Sequence, residues 1–328
     1  MKILLIRLSS TGDIILISPV VKFLKNNVHV GRVDLLVREK FESAAELTGA
    51  DRILKLKTSS SFTDDFILLN KMVERINWEK YDVVVDLHSN FRTFFIRLFS
   101  KSRIKSVIKK DFLKRRLMVV FKWFIGQHKS VEEKYFDAAK KALYKAGTTK
   151  ITIPDTGGMK INRKKSGKIV IHAGAKWPLK RWPYFSELAR KISKIKGVKL
   201  YITGVKEEIE KNDELLYIKS KNIVNLTGKT TFKELAMTIK SSDLFIGNDT
   251  AAAHLAGLYN VPAVVIMGPT VPEFGFITDK KFFIVERKLS CRPCSLHGGN
   301  KCPIGTFECM AGITPEMLFS IVNKRFKR

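Results

Sequence analysis

Three loops in the sequence carry groups suited to a negatively charged substrate, and each lies between a short apolar run and a helix-like segment. The first is Leu8-Ser9-Ser10-Thr11-Gly12-Asp13. Free backbone N–H groups at a helix start favour negative charge, so Asp13 is expected to be ionised and able to take the proton of a substrate hydroxyl as general base. Simple helix N-capping is the plainer role open to the same carboxylate. The second loop, residues 246–254, reads IGNDTAAAH. A first turn of Thr250, Ala251 and Ala252 lets a phosphate approach unpaired N–H groups closely, and the Thr250 hydroxyl adds a donor. The alternative is a well-capped helix with Asp249 as its cap. The third loop, residues 172–183, reads HAGAKWPLKRWP. Lys176, Lys180 and Arg181 could neutralise the charge developing on a departing diphosphate. They could equally form a solvated basic loop anchored by Trp177 and Trp182. Gly228-Lys229-Thr230 looks like the end of a phosphate-binding P-loop, but the earlier glycine that motif needs falls at Ile223, which excludes an ATPase of that class.

Two further features stand apart from these loops. All four cysteines lie within nineteen positions, as Cys291-x2-Cys294-x7-Cys302-x6-Cys309. Four such thiolates could form a structural tetrahedral site for zinc or iron, with no open position for catalysis; four reduced thiols packing a loop is the alternative. Residues 101–125 hold nine Lys and Arg and one acid, Asp111, interleaved with Phe112, Leu113, Leu117, Val120, Phe121, Trp123 and Phe124. A basic amphipathic helix suits an anionic membrane surface, here expected in the first domain, and a core helix with a solvated basic face is the other reading.

The elements that must position these loops alternate. Strand patterns at 2–8, 32–37, 52–56, 83–86 and 103–108 are interleaved with helical ones at 13–25, 64–76, 91–100 and 131–146. Pro19 inside the first helix predicts a kink or a late start. After an irregular stretch at 154–167 the rhythm resumes. Strands are expected at 168–172, 199–203, 222–225, 244–246 and 263–267, and helices at 182–195, 207–219, 231–241 and 251–258. A last helix at 315–327 is expected to pack back across the first domain. Alternation of this kind argues an α/β fold with parallel sheets covered on both faces, and 328 residues suffice for two such domains. Ligands of such folds bind at the carboxyl ends of the strands.

The balance of 60 Lys and Arg against 31 Asp and Glu gives a net charge of +29, which attracts polyanions such as nucleic acid, acidic lipid or a phosphorylated glycolipid. No nucleic-acid-binding motif is evident, so no specific nucleic-acid partner is expected. The apolar run after Lys2 stops at Arg7, too short for a secretory signal, and no stretch is long enough to span a bilayer. A cytoplasmic protein that touches a membrane surface is the expectation.

Several stretches together resemble the ADP-heptose:lipopolysaccharide heptosyltransferase family, in that family's order and over nearly the whole chain. They are KILLIRLSSTGDIILISPVV, VVVDLHSNFRT, IHAGAKWPLKRWPYFSELA, LFIGNDTAAAHLAGLYNVPAVVIMGPT and CRPC…KCPIGTFECM. The resemblance implies a GT-B architecture, two Rossmann-like doubly wound domains facing a cleft. Residues 1–157 would bind the acceptor; residues 158–328, with the cysteine cluster and last helix, would bind the nucleotide sugar. It implies inverting transfer of heptose from ADP-heptose to an anionic lipopolysaccharide precursor, at the cytoplasmic face of the inner membrane, with no cofactor required for catalysis. Asp13 would be the base, and Ser9, Ser10 and Gly12 would line the acceptor side. Gly174, Lys176, Lys180, Asp249, Thr250, Ala251 and Ala252 would hold the donor, with His254 bracing them. In some relatives that glycosylate proteins the cysteine cluster holds iron, so a protein hydroxyl is an alternative acceptor. A nucleotide-sugar epimerase on the same fold is a further alternative. Two departures stand out: Ala251 replaces the usual Gly, and Lys206 takes the place of an acidic ribose-binding residue, with Glu207 and Glu208 next.

Overall fold

The computed structural model describes residues 1–122, 129–148, 151, 166–209, 213–278 and 281–326. The chain divides into two compact units, Met1–Asp111 with Lys129–Thr156, and Phe112–His128 with Gly157–Arg328. The expected inter-domain stretch at 154–167 falls largely outside the described residues, as do Trp123 and Phe124.

The first unit is built on five parallel strands, β1 (Lys2–Ile6), β2 (Arg32–Arg38), β3 (Arg52–Leu56), β4 (Val83–Asp86) and β5 (Ile104–Val107), in the order β3-β2-β1-β4-β5. Central strands buried on both faces read as unbroken apolar runs, and Ile3 to Ile6 and Val83 to Val85 are fully buried. The helices between them are α1 (Thr11–Ile15), α2 (Ser18–Lys25), α3 (Glu42–Ala45), α4 (Phe62–Glu79) and α5 (Phe91–Phe99). Pro19 lies in the first turn of α2, where its missing N–H costs nothing, so the single helix expected at 13–25 is two. The chain then passes through α6 (Phe112–Phe121) into α7 (Val131–Lys145), which returns to the first sheet. The basic helix α6, expected to serve the first domain, packs instead in the second unit, where Met118 meets Val271 and Phe274.

Six parallel strands form the second sheet: β6 (Lys168–His172), β7 (Lys199–Thr203), β8 (Ile223–Asn225), β9 (Leu244–Asn248), β10 (Ala263–Met267) and β11 (Phe283–Glu286), in the order β11-β10-β9-β6-β7-β8. Its helices are α8 (Phe185–Ser193), α9 (Phe232–Lys240), α10 (Ala251–Leu258), α11 (Glu308–Ala311) and α12 (Pro315–Phe326). The helix expected at 207–219 is not formed among the described residues there. Two 3-10 turns, Lys206–Glu208 and Glu214–Leu216, take its place, and the Asp213 carboxylate accepts the Leu215 N–H at 2.8 Å, a local bond that competes with helix. Leu318 and Val322 of α12 join the core of the second unit beside Leu188 and Ile192 of α8, so the last helix covers that unit's own sheet. Among the described residues no helix is long and apolar enough to cross a membrane.

Each sheet has one point where strand order reverses: between β1 and β4 in the first, and between β6 and β9 in the second. Loops leaving neighbouring strands in opposite directions open a crevice there, where open α/β sheets take their ligands. The three loops singled out by chemistry follow β1, β6 and β9.

Candidate functional site

At the switch point of the first sheet, Ser10 is the N-cap of α1 and Asp13 stands at the third helical position, so Asp13 is not the cap. Its Oδ2 accepts the Ser10 N–H at 3.1 Å and the Ser10 hydroxyl at 2.7 Å. Its Oδ1 meets the Arg7 guanidinium at 2.6 Å, and the side chains of both partners are only 11% exposed. The Tyr135 hydroxyl lies 3.4 Å from the same oxygen. Burial pushes the Asp13 carboxyl up, but Arg7 and the Ser10 bonds outweigh it and hold it at about 2. The carboxylate is therefore ionised throughout the working range. Arg7 is fixed in turn by donating to the Leu87 carbonyl at 2.7 Å.

His88 completes this edge. Its Nδ1 accepts the Leu8 N–H at 3.1 Å, which sets the neutral tautomer with the proton on Nε2. Burial, then the nearby Arg7 and Lys110 cations, push its pKa down to about 3. The buried Asp86 carboxylate accepts the His88 and Ser89 N–H groups and so shapes the turn that presents the imidazole. Neither Arg7 nor His88 was singled out by the sequence reading. The signal available for Arg7 was a cation closing a fully buried strand.

The switch point of the second sheet gathers the other loops. Thr250 is the N-cap of α10, in extended backbone and with no side-chain capping bond. Its Oγ1 is buried and has no hydrogen-bond partner. Asp249, expected in one reading to be the cap, points elsewhere: its Oδ2 takes Lys180 Nζ at 2.5 Å and the Thr270 hydroxyl at 2.8 Å. Burial raises its pKa, and Lys180, His254 and Thr270 together bring it below the usual carboxylate value. His254 is buried one turn inside α10, close enough to favour the Asp249 charge. The helix start therefore offers Ala251 and Ala252 N–H groups, an unused hydroxyl and an adjacent lysine.

The loop after β6 is clamped from several sides. The Asn248 side chain donates to Ala173 O at 3.0 Å and accepts the Trp182 N–H at 3.2 Å. Arg181 Nε donates to Ala175 O, and Trp182 Nε1 to Ile313 O, both at 2.8 Å. Gly174 passes so close to the loop after β7 that a Cβ there would lie 3.2 Å from Glu208 Oε2 and 3.3 Å from Val205 N. Glu208, half-buried with its pKa raised by burial, thus sits at the same edge, with Arg181 and the exposed Lys176 near enough to oppose that rise. Glu208 lies two residues beyond Lys206 in the turn after β7.

The cysteine-bearing loop packs beneath this clamp. Gly298 lies under Trp177, and Leu179 N–H donates to Gly299 O at 3.0 Å. Arg292, almost wholly buried, donates to Gly268 O, to Thr270 O at 2.8 Å and to Glu286 at 2.7 Å, so this loop also holds the residue that orients Asp249. The thiols of Cys291, Cys294, Cys302 and Cys309 lie near one another, since charge on one raises the pKa of its neighbours. Among the described residues no group of three or more His, Cys, Asp or Glu side chains is arranged to hold a metal. The Cys294 thiol lies 3.4 Å from Cys291 O and donates to it, and burial pushes Cys309 up to about 11. Backbone N–H groups of residues 304–307 point at the Cys302 sulfur and lower its pKa against the cost of burial.

Paired doubly wound units, each with its chemically armed loops at a switch point, define the GT-B fold. Comparison with solved structures agrees: Escherichia coli heptosyltransferase WaaC with ADP-2-deoxy-2-fluoro heptose superposes with a TM-score of 0.71 at 15% identity, covering 99% of this chain and 100% of that one. Glycosyltransferase family 9 (heptosyltransferase) matches residues 69–300, and the chain belongs to that family. Lipooligosaccharide heptosyltransferase 2 of Campylobacter jejuni is 30% identical over 168 residues, 49% of this chain and 52% of that protein, so the chain spans about half the length of that relative. Lipopolysaccharide heptosyltransferase 1 of Campylobacter coli is 27% identical over 293 residues, 82% of this chain and 84% of that protein.

Proposed function

We propose that the protein transfers heptose, or a closely related sugar, from ADP-heptose to an anionic precursor of the lipopolysaccharide inner core, with inversion at the anomeric carbon. The observation that carries the reading is the start of α10, where a buried Thr250 hydroxyl without a partner and uncapped N–H groups stand beside Lys180. A buried donor left unmade costs about 1–3 kcal/mol, which a diphosphate oxygen would recover. In the proposed reaction Asp13 takes the proton of the acceptor hydroxyl as its oxygen bonds to the anomeric carbon. The bond from that carbon to the diphosphate breaks, and its electron pair stays on the departing oxygen, stabilised by Lys180 and the Ala251 and Ala252 N–H groups. Glu208 suits the ribose hydroxyls, because a carboxylate in the turn after β7 accepts from a vicinal diol. Ser9, Ser10 and Gly12 lie on the acceptor side beside Asp13, with His88 Nε2–H as a further donor. No step draws on a cofactor. Attachment to the acidic lipid of the inner membrane, at its cytoplasmic face, belongs to the same reading, and the net charge of +29 supports it.

Incubation with ADP-heptose and heptose-deficient lipopolysaccharide, read by mass spectrometry, tests the proposal. One added heptose per acceptor is expected from the parent, and Asp13→Asn should lose at least about a hundredfold in rate. A fully active Asp13→Asn protein would remove the carboxylate from the base role.

A further inference from the structure

The surface formed by α4 and α5 is not used by the reaction. Phe91, Phe94 and Leu98 stand at positions i, i+3 and i+7 of α5, so they share one face, and with Phe99 they are between 49% and 66% exposed. The adjoining stripe continues onto α4. Phe95 meets Phe66 edge to face with ring centroids 5.1 Å apart, and Phe99 at a tilt with centroids 4.6 Å apart. Phe66 is itself 41% exposed, and Phe62, one turn earlier, is more so. Contiguous aromatic exposure of this kind marks an interaction site.

Charge says what covers it. Residues 91–110 hold seven Lys and Arg and no Asp or Glu; on α4, Asp65 is taken up by Arg92 at 2.8 Å, and Asp64 is the exposed acid beside Phe62. Cations frame the apolar stripe at both ends. Lys101 and Arg103 are exposed just past the end of α5, and Lys105 reaches back to the Leu98 carbonyl at 3.2 Å. At the other end Lys110 Nζ donates to Ser89 O at 3.1 Å, one residue before the α5 N-cap Asn90. The Arg97 guanidinium lies over the Phe94 ring, 5.5 Å from its centroid, and is paired with the buried Asp86 carboxylate at 3.6 Å, so the framing cations are the lysines and Arg103. An apolar band with cations at both margins matches a phospholipid surface, rings among the acyl chains and cations on the phosphates. We infer that the α4–α5 face of the first unit docks on an anionic bilayer, with α5 lying in the plane of the interface. The stripe begins at Phe91, three residues after His88, so a docked α5 brings the Asp13 edge to the membrane where a lipid-anchored acceptor is held. That last step rests on the sugar-transfer reading; the docking itself does not.

Sedimentation of the full chain with vesicles of phosphatidylcholine alone, or mixed with phosphatidylglycerol, tests the inference. The parent is expected to sediment with the mixed vesicles and weakly with the neutral ones. Phe94→Ser/Leu98→Ser should weaken partitioning at least about thirtyfold, since two half-exposed apolar groups are removed from the insertion. Lys101→Ser/Arg103→Ser should weaken it about tenfold or more, with a shallower salt dependence. The inference is overturned if Phe94→Ser/Leu98→Ser binds like the parent, or if the parent binds neutral vesicles as well as acidic ones. It is also overturned if light scattering shows a parent dimer that Phe94→Ser/Leu98→Ser dissociates, because a second copy then covers the face. Transfer to a water-soluble acceptor fragment, measured on the same variants, reports on the sugar-transfer reading alone and is expected to be unchanged.

Discussion

Arg7→Met removes the cation that keeps Asp13 ionised and leaves the carboxylate in nearly the same burial. In the parent, burial works to raise the Asp13 pKa, yet the ion pair and the Ser10 bonds bring it from 3.8 to about 2. At about 1.36 kcal/mol per unit, this is a preference for the charged form of about 2 kcal/mol over a free carboxylate. Without Arg7 the desolvation is opposed only by Ser10, and the pKa must rise above its parent value. A general base works only when ionised, so activity falls as pH drops through its pKa. The parent rate should be flat with pH down to the acid limit of folding, whereas Arg7→Met should show an acid limb at higher pH and retain much of its rate near pH 8, where the carboxylate is ionised again. Arg7→Lys, which keeps a cation, should resemble the parent. Stability has the same sign. A carboxyl depressed in the folded state stabilises it above the unfolded pKa near 3.8, and that contribution is lost as pH falls towards about 2. The assay is ADP release at saturating acceptor between pH 4.5 and 8.5, with circular dichroism at each pH to confirm folding. Superimposable parent and Arg7→Met profiles would refute the role given to the pair.

Two substitutions separate the donor half-site from its supports. Thr250→Val keeps the shape and deletes the buried unpartnered hydroxyl, so thermal stability should hold or rise while KM for ADP-heptose increases about three- to tenfold; a lower Tm with unchanged KM would show that the hydroxyl serves the fold. Gly298 has φ +118° and would place a Cβ 2.6 Å from that of Trp177. Gly298→Ala should therefore cost about 1–3 kcal/mol in denaturant titration and raise donor KM through the displaced Trp177–Lys180 turn, leaving acceptor KM alone.

Much of this was legible in the sequence, for identifiable reasons. Parallel strands buried on both faces announce themselves as apolar runs, and the loops after β1, β6 and β9 stand out because small and charged residues interrupt that pattern abruptly. What could not be read is what depends on strand register. Parallel pairing sets Ile6 against Asp86, and only that brings Arg7 to Leu87 and His88, some eighty residues away in sequence. Glu208 and Thr270 likewise reach the second edge through the pairing of β6 with β7 and of β9 with β10. The segment at 207–219 misled because its composition suits a helix, while Asp213 offers the backbone a better local bond.

The two switch points share a device whose difference bears on mechanism. Each presents a nearly buried carboxylate already paired with a cation, Asp13 with Arg7 and Asp249 with Lys180. Arg7 is also tied to a backbone carbonyl and its planar fork fits its acceptors rigidly, so that pair is a fixture that orients the carboxylate and holds it ionised. Lys180 is a point charge on a flexible stem, and its Nζ reaches both the Asp249 carboxylate and the Asp249 carbonyl, at 2.5 and 3.2 Å. On the proposed reading an arriving diphosphate shares or takes over this ammonium, while Thr270, His254 and the Arg292-braced loop keep Asp249 from being left as an isolated buried charge. Part of the attraction between lysine and diphosphate is then offset by loosening the resident pair, which moderates ground-state binding of the donor. The charge that develops on the leaving oxygen meets a cation already at that edge, so stabilisation is weighted towards the transition state.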